Sequence, residues 1–146
     1  MQDPALFAAL REQVENVLEI DPLTGQRKFD YKRLASIPLL ASIYAEIMRI
    51  HVSYNVTRNV VEDMTFDGIK LKKGALVQSP GVLSHLDDQH WSVPGHPADK
   101  FWAERFIVYE EEKDNTGRVT RVPKFSTAGH TGYWFPYGMS FSICLE

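Results

Sequence analysis

Between Pro38 and His51 the chain reads PLLASIYAEIMRIH, apolar around much of a helical circumference and yet carrying Glu46 and Arg49. Pro38 suits the first helical position, where a missing N–H costs nothing. Leu39, Leu40, Ile43, Tyr44, Ile47, Met48 and Ile50 cover so much of the helix that it is expected to be well buried. Glu46 and Arg49 stand three residues apart, hence on one face. On a surface such a pair is worth little. On so apolar a helix it is either partly buried and paired further, or functional. Core packing alone does not explain it, and any fold for this chain has to accommodate it.

The elements around this helix are shorter. Residues 3–19 predict an amphipathic helix, with Asp3 as cap, Pro4 at its first position, and Leu6, Phe7, Leu10, Val14, Val17 and Leu18 on one face. Asp21-Pro22-Leu23-Thr24-Gly25 is turn chemistry, and residues 26–33 read as a charged connector with room for a short helical turn. Residues 52–78 turn to β-branched segments punctuated at Asp67-Gly68 and Lys72-Lys73-Gly74, which predicts two short hairpins forming a small sheet. Residues 79–132 are expected to be mainly loop. A short helix or turn holds His85, Asp87, Asp88 and His90, and the acidic run Glu110-Glu111-Glu112 is expected in a solvated loop. Residues 133–146 form a final aromatic and turn-rich stretch ending near Cys144. The expected class is α+β, with two main helices, small hairpins and long irregular loops in a single domain over 1–146. So much irregular chain implies that something else packs against it.

Composition narrows the function. A net charge of −3, with 24% charged residues, leaves no electrostatic footprint for nucleic acid. No apolar run approaches a membrane span, and the N-terminus has no basic-then-apolar signal layout. One cysteine rules out an internal disulfide and fits a reducing, cytoplasmic compartment. Taken alone, Cys144 can be a nucleophile, a metal or haem ligand, or a small buried apolar side chain, and the last is the default reading until something upstream argues for a ligand.

The order Glu46-Ile47-Met48-Arg49, hairpins, Ala103-Glu104-Arg105-Phe106, then an aromatic-Gly turn into Cys144 resembles the C-terminal part of a cytochrome P-450, a haem-thiolate monooxygenase. The resemblance covers essentially the whole chain and is closest to fungal members, which share Phe101-Trp102-Ala103-Glu104-Arg105-Phe106. It implies haem as cofactor, Cys144 as axial iron ligand, and Glu46, Arg49 and Arg105 as a structural charged triad. Two guanidiniums around one carboxylate satisfy that arrangement by planar, bidentate bonds. The resemblance places Arg58 and, at lower rank, His85 near the haem propionates. Arg58 reads equally as a plain strand-end arginine.

The sequence departs from the family at the final loop. Only Gly138 remains of a glycine-rich stretch, followed by Met139 and Ser140. Phe141 and Ser142 stand where a basic residue is usual, and Glu146 where a glycine is. The resemblance also implies a truncated form without the long central helix, not competent for monooxygenation as an isolated chain. Two alternatives therefore stay open. One is a haem-free enzyme on a P-450 remnant, a cyclase or isomerase of fungal secondary metabolism. Its aromatics Trp102, Tyr133, Trp134, Phe135 and Tyr137 would line a pocket for an apolar small molecule, and His130, His85 or a carboxylate would act as general acid. The other is a fragment that associates with itself or with a partner covering the missing N-terminal region.

Overall fold

The computed structural model describes residues 3–52, 55–113 and 117–137. Contacts divide the chain into two compact units, Met1–Ile47 with Phe101–Ala128 and Met48–Lys100 with Gly129–Glu146.

The first unit begins with α1 (Pro4–Glu15), whose N-terminus Asp3 caps by accepting the backbone N–H groups of Ala5 and Leu6 at 3.0 and 3.1 Å. The helix stops at Glu15 rather than continuing to residue 19. Leu18–Ile20 is instead β1, paired antiparallel with β2 (Arg27–Phe29) in the register Leu18↔Phe29 and Ile20↔Arg27. The apolar spacing of Val14, Val17 and Leu18 suits a helix equally well. The Asp21 carboxylate, however, accepts the N–H groups of Leu23 and Thr24, and Gly25 turns at φ 67°. That turn folds the chain back and supplies residues 18–20 with a strand partner.

A five-residue helix, α2 (Tyr31–Ala35), follows, capped by Asp30. The long helix α3 (Pro38–His51) occupies the predicted residues 38–51, and its first ten residues belong to this unit. Its core is Ile37, Leu39 and Ala103, against which Leu6, Leu10, Val14 and Ile43 pack.

The same unit holds a long hairpin in the predicted loop region 79–132. It is formed by β7 (Ile107–Lys113) and β8 (Val119–Phe125), paired antiparallel. The acidic run that reads as a solvated loop is therefore strand. Glu111 lies opposite Arg121, and Lys124 Nζ reaches Glu110 at 2.8 Å and Glu112 at 3.1 Å. The like charges of β7 are compensated across the ladder by a strand a dozen residues later. Nothing in the acidic run itself reveals that partner.

In the second unit, β3 (Asn55–Asn59) pairs antiparallel with β6 (Leu76–Pro80), and β4 (Met64–Phe66) pairs with β5 (Ile69–Leu71). The predicted pair of consecutive hairpins in one sheet is thus one hairpin nested inside a longer-range pair, as two separate two-stranded sheets. The nesting is closed by Val60, which donates to the Ala75 carbonyl and accepts from Gly74, at 2.9 and 2.8 Å. The inner hairpin turns on Asp67 and Gly68, both at positive φ, 48° and 77°. That is the two-residue turn matching the twist of antiparallel strands. Two short helices follow, α4 (Gly81–His85) and α5 (Asp88–Trp91). The class is α+β, with five helices and four two-stranded sheets among the described residues. No described helix is long and apolar enough to cross a membrane.

Candidate functional site

In the first unit, Glu46 is fully buried on α3. Its Oε1 accepts from Arg105 Nε at 2.9 Å and from the backbone N–H of Trp102 at 3.1 Å. The Arg105 side chain is itself 3% exposed and lies 5.5 Å from the centre of the Trp102 ring. One turn earlier on the same helix, the buried Ser42 Oγ accepts the N–H of Phe106 at 3.1 Å. Two side chains of α3 thus satisfy two backbone donors of the irregular segment 102–106, where no secondary structure would satisfy them. The sequence draws attention to Glu46 and Arg105. Ser42 escapes it, although a lone hydroxyl four residues before Glu46 on an apolar helix is the available signal.

Arg49 lies on the part of α3 that belongs to the second unit and is 1% exposed. Its Nη1 donates to the His85 carbonyl at 2.6 Å, and its guanidinium sits 4.9 Å from the Trp91 ring. Trp91 in turn donates Nε1–H to the Ser84 carbonyl at 2.8 Å. These contacts hold α4 to α5 and to the end of α3 by charge-assisted and cation–π attraction.

His85, at the end of α4, is fully buried. Its Nε2 accepts the backbone N–H of Phe135 at 3.2 Å, and its ring lies 5.1 Å from the Phe135 ring. Since Nε2 is an acceptor, the proton of the neutral ring sits on Nδ1, which is buried without a hydrogen-bond partner among the described residues. Burial is the main reason the ring binds a further proton less readily than an ordinary histidine. The Arg49 charge adds to that, and the carbonyls of Arg49 and Val52 offset it in part.

His130 faces His90, Nδ1 to Nε2 at 2.9 Å, and stacks on Trp91 at 4.5 Å. His90 stacks flat on Tyr133 at 3.7 Å. The sequence names the individual histidines but not this pairing, because His90 and His130 are forty residues apart. Asp87 is occupied as the cap of α5, and Asp88 accepts from the Ser92 hydroxyl at 2.7 Å. Arg58 stands exposed on β3 opposite Val77 and donates to the adjacent Thr57 carbonyl. Of the aromatics expected to line a pocket, Trp102 packs on Arg105 in the first unit, while Tyr133 and Phe135 pack on His90 and His85 in the second. A separate apolar cavity of about 530 Å³ in the first unit is lined by Leu6, Phe7, Leu10, Ile43 and Phe101, and by none of the predicted site residues. Cys144 lies outside the described residues, as do Gly138, Met139, Ser140, Phe141, Ser142 and Glu146.

The family model for cytochrome P-450 matches residues 1–145. The chain belongs to the cytochrome P-450 family. Among its relatives, cytochrome P-450 monooxygenase calL of Penicillium decumbens is 42% identical over 142 residues, covering 97% of this chain and 25% of the relative. Cytochrome P-450 monooxygenase efuG of Hormonema carpetanum is 30% identical over 162 residues, covering 99% of this chain and 29% of the relative. Cytochrome P-450 monooxygenase fsoE of Humicola fuscoatra is 29% identical over 161 residues, with similar coverage. The chain therefore spans between a quarter and three tenths of the length of these relatives.

The family implies a haem-thiolate cofactor. The donor chemistry of the chain fits that group in part. Cys144 is a soft thiol of the kind that ligates haem iron, and Arg58 is an exposed guanidinium suited to a carboxylate. His85 does not fit as a propionate donor through Nε2 in the observed arrangement. That nitrogen already accepts from Phe135, and the buried Nδ1, without a hydrogen-bond partner among the described residues, is the ring's one remaining donor.

Proposed function

We propose that these residues supply the haem-ligating segment of a cytochrome P-450 monooxygenase, with Cys144 as axial ligand and Arg58 as a propionate partner. The observation that carries the reading is the family match, which runs through Cys144 to residue 145 and includes the buried Glu46–Arg105 pair. A bound haem with a thiolate ligand supplies oxygen activation, because the thiolate pushes electron density toward the iron. The task of this chain is to hold and orient the group. Glu46 and Ser42 fix the segment around Arg105, and Arg49 and His85 fix the approach to the final loop.

Monooxygenation is named for relatives about four times as long as this chain, and the 146 residues by themselves are not expected to perform it. An apolar small-molecule substrate belongs to the same proposal. So does a partner chain, or a second copy, against the exposed apolar side chains of α1, Phe7 foremost at 63% exposure. A strictly monomeric chain in light scattering overturns that last part. The relatives are named as monooxygenases, which favours the haem reading over a haem-free cyclase or isomerase. The test is reconstitution with haem, reduction and addition of carbon monoxide. A thiolate-type Soret band that disappears in Cys144→Ser supports the reading. A spectrum indifferent to that substitution overturns it.

A further inference from the structure

We propose that His85 is a positioning residue that fixes the chain at Phe135, nine residues before Cys144, with Nε2 acting as a hydrogen-bond acceptor rather than as a donor to a haem propionate. The inference deepens the reading of Cys144 as axial ligand and rests on it for its functional meaning.

Three observations converge on this residue. Its carbonyl is gripped by Arg49 Nη1 at 2.6 Å, so the backbone at the end of α4 is tied to the end of α3. Its ring Nε2 accepts the backbone N–H of Phe135 at 3.2 Å, and the two rings pack at 5.1 Å. The residues just before Phe135 form a turn in which both Tyr133 and Trp134 donate their N–H groups to the His130 carbonyl, at 3.0 and 2.9 Å. Phe135 is the next backbone donor, it is buried, and no secondary structure serves it. Cys144 follows nine residues later.

A buried N–H that loses its acceptor pays its full desolvation cost, so the imidazole determines where residue 135 sits. The role demands one tautomer, protonated at Nδ1 and bare at Nε2. A histidine serving a propionate through Nε2 needs the opposite one. Acceptor and donor roles of Nε2 are therefore distinguished by where a single proton resides.

The decisive measurement is the nitrogen NMR signature of the His85 ring in the full unsubstituted chain, combined with hydrogen exchange at the Phe135 amide. The proposal expects an unprotonated Nε2, a protonated Nδ1 and a protected Phe135 amide. In His85→Gln, whose side-chain oxygen replaces the Nε2 acceptor, protection is retained within a few-fold. In His85→Leu it falls at least tenfold, while the amides of Ala45 and Met48 on α3 keep theirs. A proton on Nε2, or a Phe135 amide that exchanges at the same rate in all three chains, overturns the proposal. The tautomer measurement decides the case even if His85→Leu does not fold. Failure of the ligand reading looks different. A haem spectrum indifferent to Cys144→Ser, beside a protected Phe135 amide and the expected tautomer, upholds the acceptor role and overturns only the assignment of Cys144.

Discussion

Arg105 donates Nε–H to Glu46 at 2.9 Å across fifty-nine residues of sequence, and both side chains are almost entirely removed from water. The pair is anchored at each end by the backbone. Glu46 also takes the N–H of Trp102, and Ser42 on the same helix takes that of Phe106. An irregular segment is thereby given the fixed position that a strand or helix would obtain from its own ladder.

Removing the guanidinium should be expensive. In Arg105→Met the Glu46 carboxylate stays buried without that partner, and a loss of about 3–5 kcal/mol is expected. Urea unfolding of the variant beside the unsubstituted chain measures it. The double variant with Glu46→Leu should recover part of the loss, since it removes the stranded charge. A loss below about 1 kcal/mol in the single variant would show that the pair is hydrated in solution.

Ser42→Ala isolates the second anchor. The hydroxyl is buried, and its loss leaves the Phe106 N–H without its acceptor at a cost of about 1–3 kcal/mol. Faster exchange of the Phe106 amide, with the α1 amides unaffected, is the expected local signature. Equal exchange in both chains counts against the hydrogen bond.

The turn of the inner hairpin depends on Gly68 at φ 77°. Nothing lies within 4 Å of where a Cβ would be, so only backbone strain opposes a side chain there. Gly68→Ala is expected to cost roughly 1–2 kcal/mol, the left-handed penalty of an L-residue. Asp67→Gly relieves the same kind of strain at φ 48° and should be nearly neutral or mildly stabilising. Calorimetric midpoints order the two variants, and the reverse order refutes the turn assignment.

His85 makes stability depend on pH in a definite direction. Its proton affinity is lowered in the folded chain, chiefly by burial and further by the Arg49 charge. Above the ordinary histidine value of about 6.5 the ring is neutral in both states and its contribution is complete. As pH falls through that value the unfolded chain takes up a proton that the folded chain resists, and stability declines. His85→Gln cannot titrate, so its urea midpoint should fall less between about pH 7.5 and 5.5 than that of the unsubstituted chain. Parallel declines would place the His85 ring in water.

Much of the architecture around α3 is legible from residue order. The helix 38–51, the cap at Asp3 and the Asp67-Gly68 turn each follow from interactions within a few residues. The family resemblance rests on motifs that are likewise local. Three elements are not legible in this way. Leu18–Ile20 leaves the helical pattern because β2 is available to pair with it. Glu110-Glu111-Glu112 becomes strand because Arg121 and Lys124 compensate its charge. β3 skips the nearest segment to pair with β6. In each case the deciding partner is remote in sequence, and local propensity is a weak prior against it.

The candidate site divides along the same line. Sequence by itself determined which charged and polar groups the chain has to offer: the Glu46, Arg49 and Arg105 charges, the thiol of Cys144 and the imidazole of His85. Only the tertiary structure decided what several of them do. Burial of α3 turned Ser42 from a neutral helix residue into the acceptor for Phe106. The N–H of Phe135 took the Nε2 of His85, which the sequence alone leaves free for a propionate. The physical reason is that a residue type fixes the donors and acceptors a side chain owns. Which of them are used is set by the unsatisfied backbone groups that folding brings beside it.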